Sequence, residues 1–193
     1  FGGNQIAVID MYHQYVPFLG ELQYKLQEGG SLFYTWNGAG GSNFWNLIAY
    51  YGASPLNLLT VLVPESILRE AVTVVLLLKI GCAGLFFALF LRGTFRRDDF
   101  SICLFAVMYA LCSYILGYYW NIIWMDTVAL LPLVVLGLVY LVRDGKYRLY
   151  VVALGLSLFT NFYIGMFTCI FAVIAYVCLC VFYLKPAQLP GRT

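Results

Sequence analysis

The residues best suited to chemistry near the start of the chain are Asp10, His13 and Gln14. Asp10 follows the apolar run Ile6–Ile9, which places a carboxylate at the edge of a membrane-facing stretch, where a partly desolvated acid can accept a proton. His13 and Gln14 come one helical turn later, and a helix is expected to bring all three side chains to one side. The alternatives are a helix cap or interfacial anchor for Asp10 and an interfacial hydrogen bond for His13.

Asp126, Lys79 and Arg69 are the other charged candidates. Asp126 ends an aromatic stretch typical of a membrane interface, and it is expected either to be a second acid or to cap the following helix. Lys79 lies near the middle of an apolar segment, where a charge costs about 3 kcal/mol or more. It therefore needs an acidic partner from another helix or the phosphate of a lipid-linked substrate. Arg69, at the end of that segment, suits an interfacial phosphate or simply flanks the segment.

The composition indicates an integral membrane protein. Hydrophobic residues make up 63% of the chain, charged residues only 10%, and the mean hydropathy is +0.85, values outside the range of soluble domains. The net charge is +2 and no basic run extends beyond residues 95–97, so nothing indicates a nucleic-acid partner. The six cysteines lie in apolar stretches without metal-binding spacing, and they are expected to be small packing residues.

The lengths of the apolar segments predict five membrane spans. The uncharged stretch between Arg148 and Lys185 is about twice as long as one crossing of roughly 20 residues requires. The polar pair at residues 160–161 is expected to mark a turn within it. The positive-inside rule assigns the Arg and Lys clusters to the cytoplasm and residues 1–64 to the opposite side. The predicted spans are 69–91, 100–118, 126–142, 148–160 and 163–184.

Residues 1–64 are predicted to form an extracytoplasmic loop of interfacial helices. Asp10–Gln27 has apolar residues at helical spacing, which favours a surface helix that Pro17 starts or kinks. Residues 44–51 and 56–63 are apolar but too short to cross a membrane, so they are expected to be interfacial or re-entrant.

Residues 65–193 are predicted to be the transmembrane region, so the predicted fold class is an all-α, polytopic helix bundle. The chain begins without an initiator Met or a signal peptide, and a first membrane helix is expected before residue 1. Residues 185–193 are expected to be a cytoplasmic loop that leads to further spans.

Five segments of this sequence, in this order, resemble the N-terminal part of the YfhO family of bacterial membrane proteins. The resemblance covers nearly the whole chain, and several motifs in order are more specific than any one of them. The segments are Ile9–Phe18, Ser31–Gly41, Tyr50–Asn57, Asn121–Asp126 and Asn161–Gly165.

The resemblance implies a GT-C type glycosyltransferase of the bacterial cytoplasmic membrane. Such an enzyme would transfer a sugar from a polyprenyl-phosphate donor to an envelope polymer such as lipoteichoic acid. In these folds an acid just after the first membrane helix is the base or a metal contact, and Asp10 stands at that position. Asp126 would be the second acid, and a divalent cation held by both carboxylates is one option.

Several further residues are expected to contact the substrate. Aromatic rings at Tyr12, Trp36 and Trp124 could stack on the sugar or the prenyl chain, and Asn161 could reach sugar hydroxyls although turning the chain is explanation enough. The substrate-binding candidates are His13, Gln14, Arg69, Lys79, Trp36, Asn121, Trp124 and Asn161.

Two other functions fit the same sequence. In a transporter or lipid flippase, Lys79 and the acids would form a path across the bilayer. In a non-catalytic partner of an envelope enzyme, Asp10 and Asp126 could be neutralised without loss of activity. The prediction that Asp10, Asp126 and Asn161 lie on one face favours surface chemistry, whereas only Lys79 is expected at depth.

Overall fold

The structure is a computed structural model that describes residues 6–38 and 40–183. It is 81% helical, which confirms the predicted all-α bundle. The only strands in this part of the chain are β1 (Tyr34–Thr35) and β2 (Ser42–Asn43), which pair antiparallel. Residues 1–5, 39 and 184–193 lie outside the described residues, and with them the end of the last predicted span and the predicted terminal loop.

Short helices form what we call the loop layer, residues 6–67 except residue 39. A π-helical turn (Met11–Tyr15) continues into α1 (Val16–Glu28), whose first turn contains Pro17, so the expected surface helix is present. After the β-ribbon come α2 (Phe44–Leu47), a second π-helical turn (Ile48–Gly52) and two 3-10 helices (Pro55–Leu62 and Glu65–Ile67).

Six helices follow the loop layer in the part of the chain that the structure describes. Four helical segments are long and apolar enough to cross a membrane: Glu65–Phe95, Phe100–Tyr118, Ile122–Asp144 and Phe162–Tyr183. The helices are α3 (Leu68–Phe95), α4 (Phe100–Ala110), α5 (Ser113–Tyr118), α6 (Ile122–Asp144), α7 (Arg148–Thr160) and α8 (Phe162–Tyr183).

The helix α7 differs from the four long segments. It has 13 residues, about 20 Å at 1.5 Å per residue, whereas a crossing of the hydrocarbon core needs roughly 20 residues. The chain then turns at the extended residue Asn161, and α8 packs back against α7. The turn is therefore where the sequence predicts it, but residues 148–160 are too short to reach through the bilayer as a straight helix.

The helix α6 is the centre of the bundle, because it packs against α3, α7 and α8. It contains Pro132, which lacks the N–H that would donate to the carbonyl of Val128 one turn earlier. The hydroxyl of Tyr109 on α4 donates to that carbonyl instead, at 2.8 Å. A side chain from the neighbouring helix thus satisfies the acceptor that the proline frees.

The helix α3 joins the bundle to the loop layer. Its 28 residues measure about 42 Å, more than the ~30 Å hydrocarbon core. Leu68, Val72 and Leu76 are buried with Leu19 and Leu22 of α1 in one apolar cluster. The first turns of α3 therefore support the loop layer, and the remaining turns pack in the bundle.

A close contact between α6 and α7 yields a test of the packing. A Cβ on Gly137 would lie 2.5 Å from the backbone of Tyr150, whereas a Cβ on Gly155 would meet nothing within 4 Å. We expect Gly137→Ala to lower the free energy of unfolding by about 1–3 kcal/mol, because the backbones must separate. Gly155→Ala is the matched control and should be neutral or slightly stabilising. Thermal unfolding in detergent compares the two, and equal melting temperatures would contradict this packing.

Candidate functional site

Lys79 and Asp126 form the only ion pair between two membrane-spanning helices in the described part of the chain. Lys79 Nζ lies 2.6 Å from Asp126 Oδ2 and also donates to the carbonyl of Ile122 at 3.2 Å. The Lys79 side chain is 1% exposed and that of Asp126 8%. The hydroxyl of Ser54 donates to the other carboxylate oxygen at 2.6 Å. The structure therefore gives Lys79 its acidic partner, and both oxygens of Asp126 are occupied.

The pair lies near the loop-layer end of the bundle. Asp126 is in the first turns of α6, which begins at Ile122. Lys79 lies at the level of Asp126. It is eleven residues from the start of α3, and the first turns of α3 pass through the loop layer. Lys79 lies near the middle of α3, as the sequence predicts, and its side chain meets the start of a neighbouring helix and the loop residue Ser54.

Two tyrosines connect the loop layer to the membrane helices. The Tyr15 hydroxyl donates to Asn121 Oδ1 at 2.6 Å, directly before α6. Asn161 Nδ2 donates to the carbonyl of Tyr50 at 3.2 Å, while Asn161 Oδ1 accepts from the amide of Ile164 and so caps α8. Asn121 and Asn161 are both buried. Each asparagine is thus engaged by the protein at the point where a helix starts.

Asp10 lies beside these tyrosines. Burial raises the pKa of Tyr15, and the negative charge of Asp10 raises it further. Burial also raises the pKa of Tyr51, with contributions from Tyr50 and Asp10. The Asp10 side chain is half-buried and makes no hydrogen bond or ion pair with the described residues.

Of the three residues expected to converge, Asp10 and Gln14 both lie near Tyr51, but His13 does not join them. Gln14 Oε1 accepts from the hydroxyl of Tyr51 at 3.4 Å, whereas His13 is exposed and packs edge-on against Tyr12. The segment is a π-helical turn, and its i→i+5 hydrogen bonds align residues four or five apart rather than three apart.

His13 and Arg69 instead share a cleft of about 990 Å³ between α1 and the start of α3. The guanidinium of Arg69 lies over the ring of Tyr12, 5.6 Å from its centroid. The lining combines cationic, carboxylate, amide and aromatic groups, among them Tyr12, His13, Glu21, Asn37, Arg69 and Glu70. Such a mixture of donors, acceptors and rings suits a polar ligand with several hydroxyl groups.

The two tryptophan candidates occupy different surroundings. Trp36 is 77% exposed at the β-ribbon, edge-on to Tyr34 and next in sequence to the cleft residue Asn37. Trp124 is half-buried against the apolar core, and its indole N–H has no hydrogen-bond partner among the described residues. Trp36 therefore neighbours the cleft in sequence without lining it, whereas Trp124 packs within the protein.

Asp10 and Asp126 do not form a shared metal site. Asp126 is occupied by Lys79 and Ser54, and in the described part of the chain no three His, Cys, Asp or Glu side chains gather as a metal site requires. The residues present therefore do not fit the divalent cation that the sequence offered as an option.

Glu21 is a cleft residue that sequence reasoning missed. Its carboxylate accepts from Thr35 and Asn37, both at 2.6 Å, and lies 3.4 Å from Lys25. Burial by itself raises the pKa of Glu21, but the hydrogen bonds from Thr35, Asn37 and Lys25 outweigh it and lower the pKa. The i,i+4 spacing of Glu21 and Lys25 could have indicated their pairing, but the contacts with Thr35 and Asn37 depend on where the β-ribbon folds back.

The lowered pKa of Glu21 predicts how pH affects the β-ribbon. The ionised carboxylate stabilises the ribbon fully above its ordinary value of 4.5, and this contribution disappears as the pH falls through the lowered value. Exchange of the Phe44 amide, which donates to the Phe33 carbonyl, measures the opening of the ribbon. Protection should decline below about pH 4.5 in the wild type. In Glu21→Gln, the protection should be about 1–2 kcal/mol below that of the wild type near neutral pH, and it should not show this decline. Unchanged protection in Glu21→Gln would contradict the assignment.

Comparison with known proteins identifies the family of the chain. The chain matches none of the curated proteins and none of the solved structures with which it was compared. The model of the family described as bacterial membrane protein YfhO matches residues 1–189, which is nearly the whole chain. Together with four helices that are long enough to cross a bilayer, this match identifies a membrane-embedded protein. The chain belongs to the YfhO family of bacterial membrane proteins.

Proposed function

We propose that the protein is a glycosyltransferase that takes its sugar from a polyprenyl-phosphate donor. The observation that carries the proposal is the cleft of about 990 Å³, because it is a polar site at the end of a membrane helix bundle. A sugar presents many hydroxyl groups, and carboxylates such as Glu70 and amides such as Asn37 are suited to bind them. A lipid-linked donor would bring the sugar to this position from the bilayer.

Arg69 and His13 support the binding of a phosphate. Arg69 lines the cleft from α3, and a guanidinium can bind phosphate oxygens through two parallel hydrogen bonds. His13 lines the same cleft from the π-helical turn, so cationic and donor groups approach from two elements. Lys79 does not line the cleft, so we assign the phosphate to Arg69 and His13, which do.

Asp10 is the better candidate for the base. Both oxygens of Asp126 are held by Lys79 and Ser54, whereas those of Asp10 make no hydrogen bond with the described residues. In the proposed step, Asp10, which lies three residues before the cleft residue His13 but does not itself line the cleft, accepts the proton of an acceptor hydroxyl as that oxygen bonds to the anomeric carbon. The bond from that carbon to the phosphate oxygen breaks, its electron pair leaves with the polyprenyl phosphate, and the configuration inverts. Arg69 would stabilise the charge that develops on the departing phosphate.

The proposed location is the outer face of the bacterial cytoplasmic membrane. Arg92 and Arg143 lie at the end of the bundle opposite the loop layer, where Arg143 donates to the carbonyl of Gly93 at 3.3 Å. By the positive-inside rule that end is cytoplasmic, which supports an extracytoplasmic cleft. The proposed acceptor is therefore an envelope polymer such as lipoteichoic acid.

The alternative function is a transporter or flippase, in which the Lys79–Asp126 pair would be part of a path across the bilayer. A path across the bilayer needs polar groups at successive depths. The pair instead lies at one end of the bundle, with the loop residue Ser54 bonded to it. This position supports a site on one face.

The test is transfer of labelled sugar from polyprenyl-phosphate donors to teichoic-acid acceptors in membranes that contain the protein. We expect transfer by the wild type, and Arg69→Gln should raise the KM for the donor about tenfold, because a charge-assisted contact is worth roughly 1.5–3 kcal/mol. The absence of transfer with every donor would refute the enzyme proposal. An unchanged donor KM in Arg69→Gln would refute the role of the cleft in phosphate binding.

A further inference from the structure

Lys79 and Asp126 form a buried ion pair outside the cleft, and burying their two charges costs free energy. Burying two charges is usually no more favourable than burying apolar side chains of similar volume. Neither residue contributes to the lining of the cleft or makes a hydrogen bond with Asp10. The contacts of the pair indicate what it does instead.

Ser54 is the third member of this group. Its hydroxyl donates to Asp126 Oδ1 at 2.6 Å, and Lys79 donates to Oδ2 at 2.6 Å. Hydrogen bonds with an ionised partner are short and strong. The second bond of Lys79, to the carbonyl of Ile122, fixes its ammonium group against α6. The carboxylate is thus held in one orientation, and Ser54 is fixed by it.

Ser54 ends the segment Tyr50–Ser54, which passes beside Asp10. The first residue of the segment is fixed by Asn161, which donates to its carbonyl at 3.2 Å. Between these two points lies Tyr51, whose hydroxyl donates to Gln14 and whose pKa is raised by burial and by the nearby charges, including that of Asp10. The position of Tyr51 therefore depends on the bonds at both ends of the segment.

We propose that Lys79, Asp126 and Ser54 are positioning residues, which hold the segment Tyr50–Ser54 in place beside the base Asp10. This inference rests on the proposed function, because Asp10 is assigned as the base there. Since the group is separate from the cleft, its loss should slow the chemical step and leave donor binding unchanged.

The first experiment removes the pair without leaving a lone charge. In the double variant Lys79→Met/Asp126→Leu, we expect kcat for transfer to fall about tenfold while the KM for the donor stays at the wild-type value. The matched control, Arg92→Gln/Asp98→Asn, removes an ion pair that is 62% and 73% exposed, and it should keep wild-type kcat and KM. A double variant with wild-type kcat, or with a raised KM as its only change, would overturn the proposal.

Ser54→Ala provides a test that does not depend on how the double variant folds. It keeps the ion pair and removes only the bond to the segment, so we expect a similar loss of kcat with an unchanged donor KM. The Asn57 amide, which donates to the Ser54 carbonyl at 3.0 Å, should exchange with solvent about tenfold faster than in the wild type. Unchanged kcat and unchanged exchange would refute the role of Ser54.

The exchange measurement also separates this inference from the proposed function. If the wild type transfers no sugar, the proposed function fails, yet exchange at Asn57 still reports whether the pair and Ser54 hold the segment. Faster exchange would then support the structural part of the inference, and unchanged exchange would refute it.

Discussion

Replacing Asp10 with asparagine should lower the rate of sugar transfer by a factor of about 10²–10⁴, the usual contribution of a general base. Asparagine keeps the size of the side chain but cannot take up the proton of the acceptor hydroxyl. Because Asp10 makes no hydrogen bond with the described residues, its neutralisation should not disturb the fold. The measurement is the initial rate of transfer at equal amounts of membrane-inserted protein.

Asp98→Asn is the matched control for this change. Asp98 is an exposed aspartate that pairs with Arg92 beyond the end of α3, far from the loop layer, so its variant should transfer sugar at the wild-type rate. If Asp10→Asn kept wild-type transfer while protein amounts were equal, Asp10 would not be the base. A loss of rate in both variants would indicate a general sensitivity to charge removal instead.

Lys79→Met or Asp126→Leu alone should lower the free energy of unfolding by about 3–5 kcal/mol, since each leaves one buried charge without its partner. The double variant should be far more stable than either single variant, because it removes both charges and fills the space with apolar side chains. Equilibrium unfolding in detergent, followed through the helical signal, gives the four stabilities needed for a double-mutant cycle.

Additivity of the two single changes would contradict a buried ion pair. In that case the double variant would be about twice as unstable as the single variants, and Lys79 and Asp126 would act independently. A strong positive coupling energy is the expected outcome for oppositely charged atoms 2.6 Å apart on buried side chains.

The sequence predicts the helices of this protein well for physical reasons. Apolar segments as long as α3 and α6 have few alternatives to a membrane helix, because every backbone polar group must be satisfied internally. The apolar spacing of Asp10–Gln27 likewise predicts the surface helix, and its residues Met11, Leu19 and Leu22 are buried. The turn at Asn161 follows from a polar pair within an otherwise apolar stretch.

The relative heights of the helices could not be predicted in this way. The sequence shows that Lys79 needs an acid and that Asp126 is near an interface, but it does not show that the first turns of α3 lie in the loop layer. That displacement, which depends on the packing of Leu68 and Leu76 on α1, brings the two side chains to one level.

The candidate site is less predictable still. The hydrogen bond from Tyr15 to Asn121 joins residues 106 positions apart, and Ser54 and Asp126 are 72 positions apart. No local pattern encodes such pairs. The π-helical turn at Met11–Tyr15 could not be predicted either, because its apolar spacing is close to that of an α-helix. This turn places His13 and Gln14 in different surroundings.

The continuous helix α3 connects Arg69 on the cleft wall, Lys79 at the ion pair and Arg92 at the opposite end of the bundle. These points move together when the helix tilts. Membrane helices tilt in response to a mismatch between their apolar length and the thickness of the bilayer. A change in the tilt of α3 would move the cleft wall at Arg69, so we expect the thickness of the surrounding bilayer to affect sugar transfer through the angle of this one helix.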